Sequence, residues 1–266
     1  SYTHLTGTFT SKNSEITANS TLYAFYPRTM TSGTNPAALL SYPNELTLDL
    51  PSTHPYRDNT SVIDPATDPD SSFGRGVMPM VAYRPEHDAH ELFFHSLAGI
   101  LRFQLYAGPA LTDEATDEFE ITKIIIEARN QRLSGAFKIK KESIEDNQPY
   151  LTAEPLTGDP NEKKITITGI NQKIGGTGTN KNNLFTFYLP LPAVAYPYGD
   201  VQHYTTYELK MHVIGKQSSG SKVDIPKYFV RTMKVDIRRL SVTMMQAMET
   251  NVLDDDSDGS DSEGTP

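Results

Sequence analysis

The sequence predicts an all-β protein built from antiparallel β-sandwiches. Three observations carry that expectation. Apolar and polar residues alternate with period two along most of the apolar stretches, as they do where a strand has one face on a core. The composition, with 18 Pro, 17 Gly, 14 Tyr and 11 Phe, suits short aromatic-rich elements joined by turns. No alternation of strand with long amphipathic helix is present, so a parallel α/β fold is not expected. The 266 residues suit two domains of about 100–150 residues each.

Along the chain, "TLYAFYP" (21–27) sets Leu22, Ala24 and Tyr26 against Tyr23 and Phe25 and stops at Pro27. "ELTLDLP" (45–51) sets Leu46, Leu48 and Leu50 against Thr47 and Asp49 and stops at Pro51. "VMPMVAY" (77–83) is apolar with an internal Pro79, which predicts an edge or bulged strand. The links between these runs, 28–44 and 56–76, are rich in Pro, Ser, Thr, Asn and Asp and read as long surface loops. "YRPEHDAHE" (83–91) is polar and charged and is taken as a domain boundary. The expected organisation is an N-terminal sandwich over 1–88, a C-terminal sandwich over 89–252 and an acidic tail over 253–266.

The most apolar stretch, "HELFFHSLAGILRFQLYAG" (90–108), follows that boundary. It contains His95, Arg102 and Gln104 and ends at Gly108-Pro109, too short and too polar for the roughly 20 apolar residues of a membrane helix. Leu97, Gly99, Leu101, Phe103 and Leu105 alternate with Ala98, Ile100, Arg102, Gln104 and Tyr106. A strand with a bulged start near His95 and Ser96 is expected. Further strands are expected over 119–129, 135–142, 163–170, 184–192, 204–215 and 227–245. In the fifth, Tyr207, Leu209, Met211 and Val213 share a side; in the last, Phe229, Arg231, Met233, Val235 and Ile237 share a phase. The tail "LDDDSDGSDSEGTP" has no apolar residue after Leu253 and is expected to be disordered in solution.

The formal net charge is −9, and six of those charges belong to Asp254, Asp255, Asp256, Asp258, Asp261 and Glu263. The remainder is nearly balanced, with no basic stripe for nucleic acid. There is no Cys, which excludes disulfides, cysteine zinc sites and a thiol nucleophile. The polar opening "SYTHLTGTFTSKNSEITANS" shows no signal peptide.

Signals for chemistry are weak. His87, His90 and His95 with Glu86, Asp88 and Glu91 are ligand types suited to zinc, but their spacing is that of a solvated linker beside one half-buried histidine. Asp254, Asp256, Asp258 and Gly259 begin like a calcium loop, whose twelfth position is here Thr265 rather than Glu. "IGGTGTNKNN" (174–183) lacks the glycine before Lys181 and the Ser or Thr after it that a phosphate loop needs; it reads as a hairpin loop. No Gly-x-Ser-x-Gly elbow occurs. Tyr23, Tyr26, Tyr188, Tyr196 and Tyr198 offer faces for sugar stacking, but with no Trp in the chain, core and sheet-surface packing is the favoured account of them. The expectation is a protein that is not an enzyme and needs neither cofactor nor metal.

Several segments together resemble the fimbrillin family of pilus subunits from anaerobic gut and oral bacteria. "LYAFYP" resembles the family's "AYYP"-type strand. "LTLDLPSTHPY" resembles its "LPxxQxY" segment, with His54 where glutamine is common. "GVMPMVAY" followed by "LFFHSLAGILRFQLY" resembles its "PMxA…LxFxHLxAxLRxxL" block, and "ITKIIIEARNQRLSGAFKI" the following one. The order holds over about residues 20–140 and more loosely to about 240.

The resemblance implies two tandem transthyretin-like β-sandwiches. It also implies export as a lipoprotein, proteolytic trimming, and extracellular assembly into a fimbria attached to the outer membrane. Partners are then other pilus subunits, joined by donor-strand exchange, in which backbone hydrogen bonds give affinity and alternating pockets give register. An alternative is a surface-anchored or tip adhesin that binds host protein or glycan. The lipobox cysteine and the first strands that the family carries before this motif are missing here; a processed chain and a shortened one would both show that. A donor strand would lie at Leu240, Val242, Met244 and Met248, upstream of the acidic run.

Overall fold

A computed structural model gives the fold. It describes residues 21–26, 45–56, 78–84, 94–108, 118–140, 143, 145–146, 150–153, 157–175, 185–194, 204–219, 222–239, 241–250 and 253–254. Among these the strands are β1 (Leu22–Tyr26), β2 (Glu45–Leu50), β3 (Thr53–Pro55), β4 (Met80–Arg84), β5 (Phe94–Ser96), β6 (Ala98–Ala107), β7 (Glu118–Ala128) and β8 (Gly135–Lys140). They continue with β9 (Leu151–Ala153), β10 (Lys164–Gly175), β11 (Phe185–Pro192), β12 (Tyr204–Ser219), β13 (Lys222–Arg238), β14 (Val242–Met244), β15 (Met248–Thr250) and β16 (Leu253–Asp254). A 3-10 turn at Pro160–Lys163 precedes β10. The protein is all-β.

The larger core lies between two sheets. One has the order β16-β13-β12-β7-β10-β3; the other is β11-β6-β14, with β15 also paired to β6. The β12–β13 hairpin is antiparallel from Tyr204↔Arg238 to Ser219↔Lys222. The expected inward face of β12 is buried: Tyr207, Leu209, Met211 and Val213 all enter the core. On β13 the inward phase is Phe229, Met233, Val235 and Ile237, while Arg231 is exposed. From the other sheet Leu101, Phe103 and Leu105 of β6 and Phe185, Phe187 and Leu189 of β11 face them. Phe103 stacks on Phe187 with centroids 4.7 Å apart, a favoured aromatic arrangement.

A bulge crosses the middle of the six-stranded sheet. On β7 the buried residues change phase from Phe119 and Ile121 to Ile124 and Ile126, because the register against β12 slips between Ile214 and Gly215. The extra residue, Thr122, hydrogen-bonds the Ile214 carbonyl through its hydroxyl at 3.1 Å. A Cβ on Gly215 would stand 2.3 Å from the Glu120 carbonyl oxygen, so only glycine fits there. On the other side of β7, β10 slips between Thr168 and Gln172, with Gly169 at φ 75°.

The smaller core gathers Leu48, Leu50, Val81, Leu97, Phe137, Ile139, Leu151 and Val194. It is built from the sheets β1-β4-β5 and β2-β8-β9, with Tyr23, Phe25, Tyr83, Ile100 and Tyr188 packed against it. Its strands come from both sides of the boundary expected at residue 88, itself outside the described residues. β4 pairs with β5, β2 with β8, and β3 with β10. The two cores therefore do not correspond to two successive lengths of chain. Ile100 and Tyr188 back onto the smaller core while Leu101 and Leu189 of the same strands face the larger one.

The stretch 94–107 is where the chain changes sheet. β5 pairs with β4, and β6 with β11; the bend between them is Leu97. The Ser96 hydroxyl fixes that bend, donating to the Ala98 carbonyl at 2.9 Å and accepting from the Ala98 amide at 3.2 Å. The expected irregularity at His95 and Ser96 is thus a corner between sheets.

Three strand pairings depart from the antiparallel expectation. β3 runs parallel to β10, and β14 and β15 run parallel to β6. Each is an edge strand, separated from its parallel partner by many intervening strands, and a parallel pairing requires a long connection. After β7 the loop is anchored by a buried ion pair: Arg132 Nη1 meets Glu162 Oε1 at 2.9 Å. Leu133 and Ser134 also donate their amides to the Glu162 carbonyl at 2.7 and 3.1 Å. Burial pushes the Glu162 carboxyl up, but hydrogen bonds from Thr157 and the Arg132 charge outweigh it and hold its pKa below the ordinary value.

Candidate assembly edge

β6 pairs with β11 on one side and receives residues 241–250 on the other. The geometry starts at Gly99. A Cβ there would lie 2.3 Å from the Arg238 carbonyl oxygen and 2.7 Å from the Ile237 side chain, so glycine lets β6 pass close to the end of β13. The chain turns after β13, where Ser241 bonds the Arg238 carbonyl with both its hydroxyl (2.7 Å) and its amide (3.3 Å). Ser241 also accepts from the Ile100 amide at 2.9 Å and sets the register.

The pairing then runs Val242↔Ile100, Thr243↔Leu101 and Met244↔Arg102. It resumes as Met248↔Leu105, Glu249↔Tyr106 and Thr250↔Ala107. Three residues, 245–247, stand opposite two, Phe103 and Gln104. That extra residue is a bulge, and it reverses which side chains face inward. Val242 and Met244 are 46% and 69% exposed, whereas Met248 is 8% exposed and belongs to the larger core. Met245 packs against that core as well, although only partly buried.

Of the residues expected to form a donor strand, Val242, Met244 and Met248 therefore lie in one segment along β6 but on opposite faces of it. Leu240 is outside the described residues. Met245 and Thr250 were not expected to face inward. The adjacent pair Met244-Met245 puts a large apolar side chain in each phase, and it is the trace the bulge leaves in the sequence.

The seat is imperfect. Thr250 is fully buried and its hydroxyl has no hydrogen-bond partner among the described residues, an arrangement that costs free energy. The exposed Met244 side chain meets Arg102 through a long Nη1–Sδ contact of 3.7 Å. Thr243 is better held, donating its hydroxyl to the Asp236 carbonyl at 2.9 Å. Val242, Met244 and Tyr204 are the exposed large apolar residues among the described ones.

The other candidates fall as follows. His87, His90 and their acidic neighbours, the 176–183 part of the glycine-rich loop, the tail after Asp254, and Tyr196 and Tyr198 lie outside the described residues. His95 is half-buried; burial lowers its pKa and the Arg239 charge lowers it further, so its surroundings oppose a cation. Among the described residues no group of three His, Asp or Glu side chains could hold a metal. Tyr23 packs on Tyr83 with centroids 5.2 Å apart and donates its hydroxyl to Glu145. With Tyr188 it lies against the smaller core rather than forming an open platform. Among the described residues no helix is long and apolar enough to cross a membrane.

Sequence reasoning also missed the burial of His54 on β3, which is 4% exposed. It occupies the alternate position that Leu50 and Ser52 lead into, and alternation past Pro51 is the signal that marks it. Neither a protein-family model nor a curated protein matches the chain.

Proposed function

We propose that the chain is a structural subunit of a cell-surface fimbria of the fimbrillin kind, assembled outside the cell with other subunits by strand exchange at the β6 edge. The finer fold that accompanies this proposal is a pair of transthyretin-like sandwiches, one around each core. The observation that supports it is the seating of residues 241–250. The chain covers its own β6 edge with two three-residue parallel ladders broken by a bulge, leaving Val242 and Met244 outward. A strand held this way gains backbone hydrogen bonds but fills few pockets, so an equivalent strand from a second copy can replace it at small net cost.

The absence of cysteine permits a direct test. Ile100 and Val242 are paired in register, within the distance a disulfide spans between neighbouring strands. Ile100→Cys and Val242→Cys chains are mixed under assembly conditions, oxidised, and run on a non-reducing gel. Exchange yields disulfide-linked pairs of the two different chains. If only the double-substituted chain cross-links, and only within itself, strand exchange at this edge is excluded.

A further inference from the structure

His54 sits where the two cores meet. A cavity of about 10 Å³ there is lined by Leu50, Pro51, Pro79, Leu133 and Ile165, together with Ala98, Pro190 and Pro192 and the imidazole itself. Apart from the imidazole, every described lining side chain is apolar. The ring's Nε2 lies 3.1 Å from the Pro51 carbonyl oxygen. A carbonyl only accepts, so Nε2 carries the proton in the neutral ring and Nδ1 holds the lone pair. That Nδ1 is buried and has no hydrogen-bond partner among the described residues. Asp49, Arg84, Arg102, Arg132, Lys164 and Lys173 are described charged residues on the elements around the cavity, and none of them lines it. The nearby carboxylate of Glu162 is engaged by Arg132 and Thr157.

The strand that carries His54 is a thin cover. β3 spans three residues and pairs with Thr166, Ile167 and Thr168 at the edge of the six-stranded sheet. Backbone bonds at its two ends run from the Thr166 amide to the Ser52 carbonyl (2.7 Å) and from the Tyr56 amide to the Thr168 carbonyl (2.8 Å).

We propose that His54 is an acid-sensitive latch: neutral, it lets β3 cap the β10 edge; protonated, it expels β3 and leaves that edge open. Protonation would add a donor at Nδ1, which has no partner among the described residues, and a full charge in a cavity that no described charged side chain lines, a state that release of the strand into water relieves. In keeping with this, burial pushes the imidazole pKa down to about 4, against a smaller upward pull from the Pro51 bond. A ring whose folded pKa is depressed contributes stability above its unfolded value, near 6.5, and loses it as pH falls from there towards 4. The latch is independent of the strand-exchange proposal, because it acts at a different sheet edge.

Hydrogen exchange on the full chain, corrected for the intrinsic pH dependence of the chemistry, tests it. Protection of the Thr166 and Tyr56 amides should fall about 100-fold between pH 7 and pH 4, while amides along the β7–β12 ladder stay protected. In His54→Gln the two amides should lose little over that range. Undiminished protection in the wild type, an equal loss in the variant, or a uniform loss across β7 and β12 would each overturn the latch. Should the variant not fold, the His54 ring resonance decides: titration near 4 in step with loss of the two amides supports the proposal, and titration near 6.5 refutes it.

Discussion

β3 and the 241–250 segment perform the same task at opposite margins of the larger core, and they hold their places by different means. Each runs parallel to the strand it covers and lies far from it in sequence. β3 is short and unbroken, and its middle side chain, His54, is buried in an apolar cavity. The C-terminal segment is longer but bulged. It buries Met248 and Thr250 and turns Val242 and Met244 to solvent. The first cover is held by the protonation state of one ring, so acid weakens it. The second is held by Met248, the partly buried Met245, the Thr243 hydroxyl and a set of backbone bonds, so the proposed way to weaken it is competition from a similar strand.

The comparison can be broken at the point where β6 begins. Gly99→Val should have the largest effect, about 4 kcal/mol or failure to fold. The branched side chain would collide with the Arg238 backbone, which cannot move without displacing β13. Urea denaturation followed by circular dichroism measures it, and a loss under about 1 kcal/mol would mean the two strands do not pass as closely as described. Met248→Ala should come next, costing about 3 kcal/mol as a buried side chain is removed from the larger core. Thr250→Val should move the other way, raising stability by about 1 kcal/mol, because the unpartnered buried hydroxyl is replaced by an isosteric methyl. Met244→Ala should change stability by less than about 0.5 kcal/mol, since the side chain is 69% exposed. If Met244→Ala and Met248→Ala cost the same, the bulge at 245–247 is not there.

Much of this fold can be read in the alternation of apolar residues. Leu48 and Leu50 on β2, and Tyr207, Leu209, Met211 and Val213 on β12, alternate in the sequence and are buried as expected. What alternation cannot reveal is the partner of each strand. β2 shows the same pattern whether it pairs within residues 1–88 or with β8, as it does; the partner depends on surfaces created when distant segments meet. Bulges are a second blind spot. The change of phase in β7 reads as a plain isoleucine run, and that between Met244 and Met248 reads as a continuous even-numbered face. At the candidate edge the apolar residues were legible, and the face each one turns inward was not. His54 was visible only as a departure from a motif.

The register of β14 carries a consequence for how the protein is made. Met244 and Arg102, its partner on β6, are 142 positions apart, with seven of the described strands between them. Residues 241–250 cannot dock until that much chain has left the ribosome. Throughout that interval β6 presents unsatisfied backbone groups beside its apolar face, the kind of surface on which nascent chains stick to one another. Contacts this remote in sequence also form slowly. A chaperone that shields strand edges of the nascent chain would therefore be expected to matter most for β6, and to be released only once residue 250 has emerged.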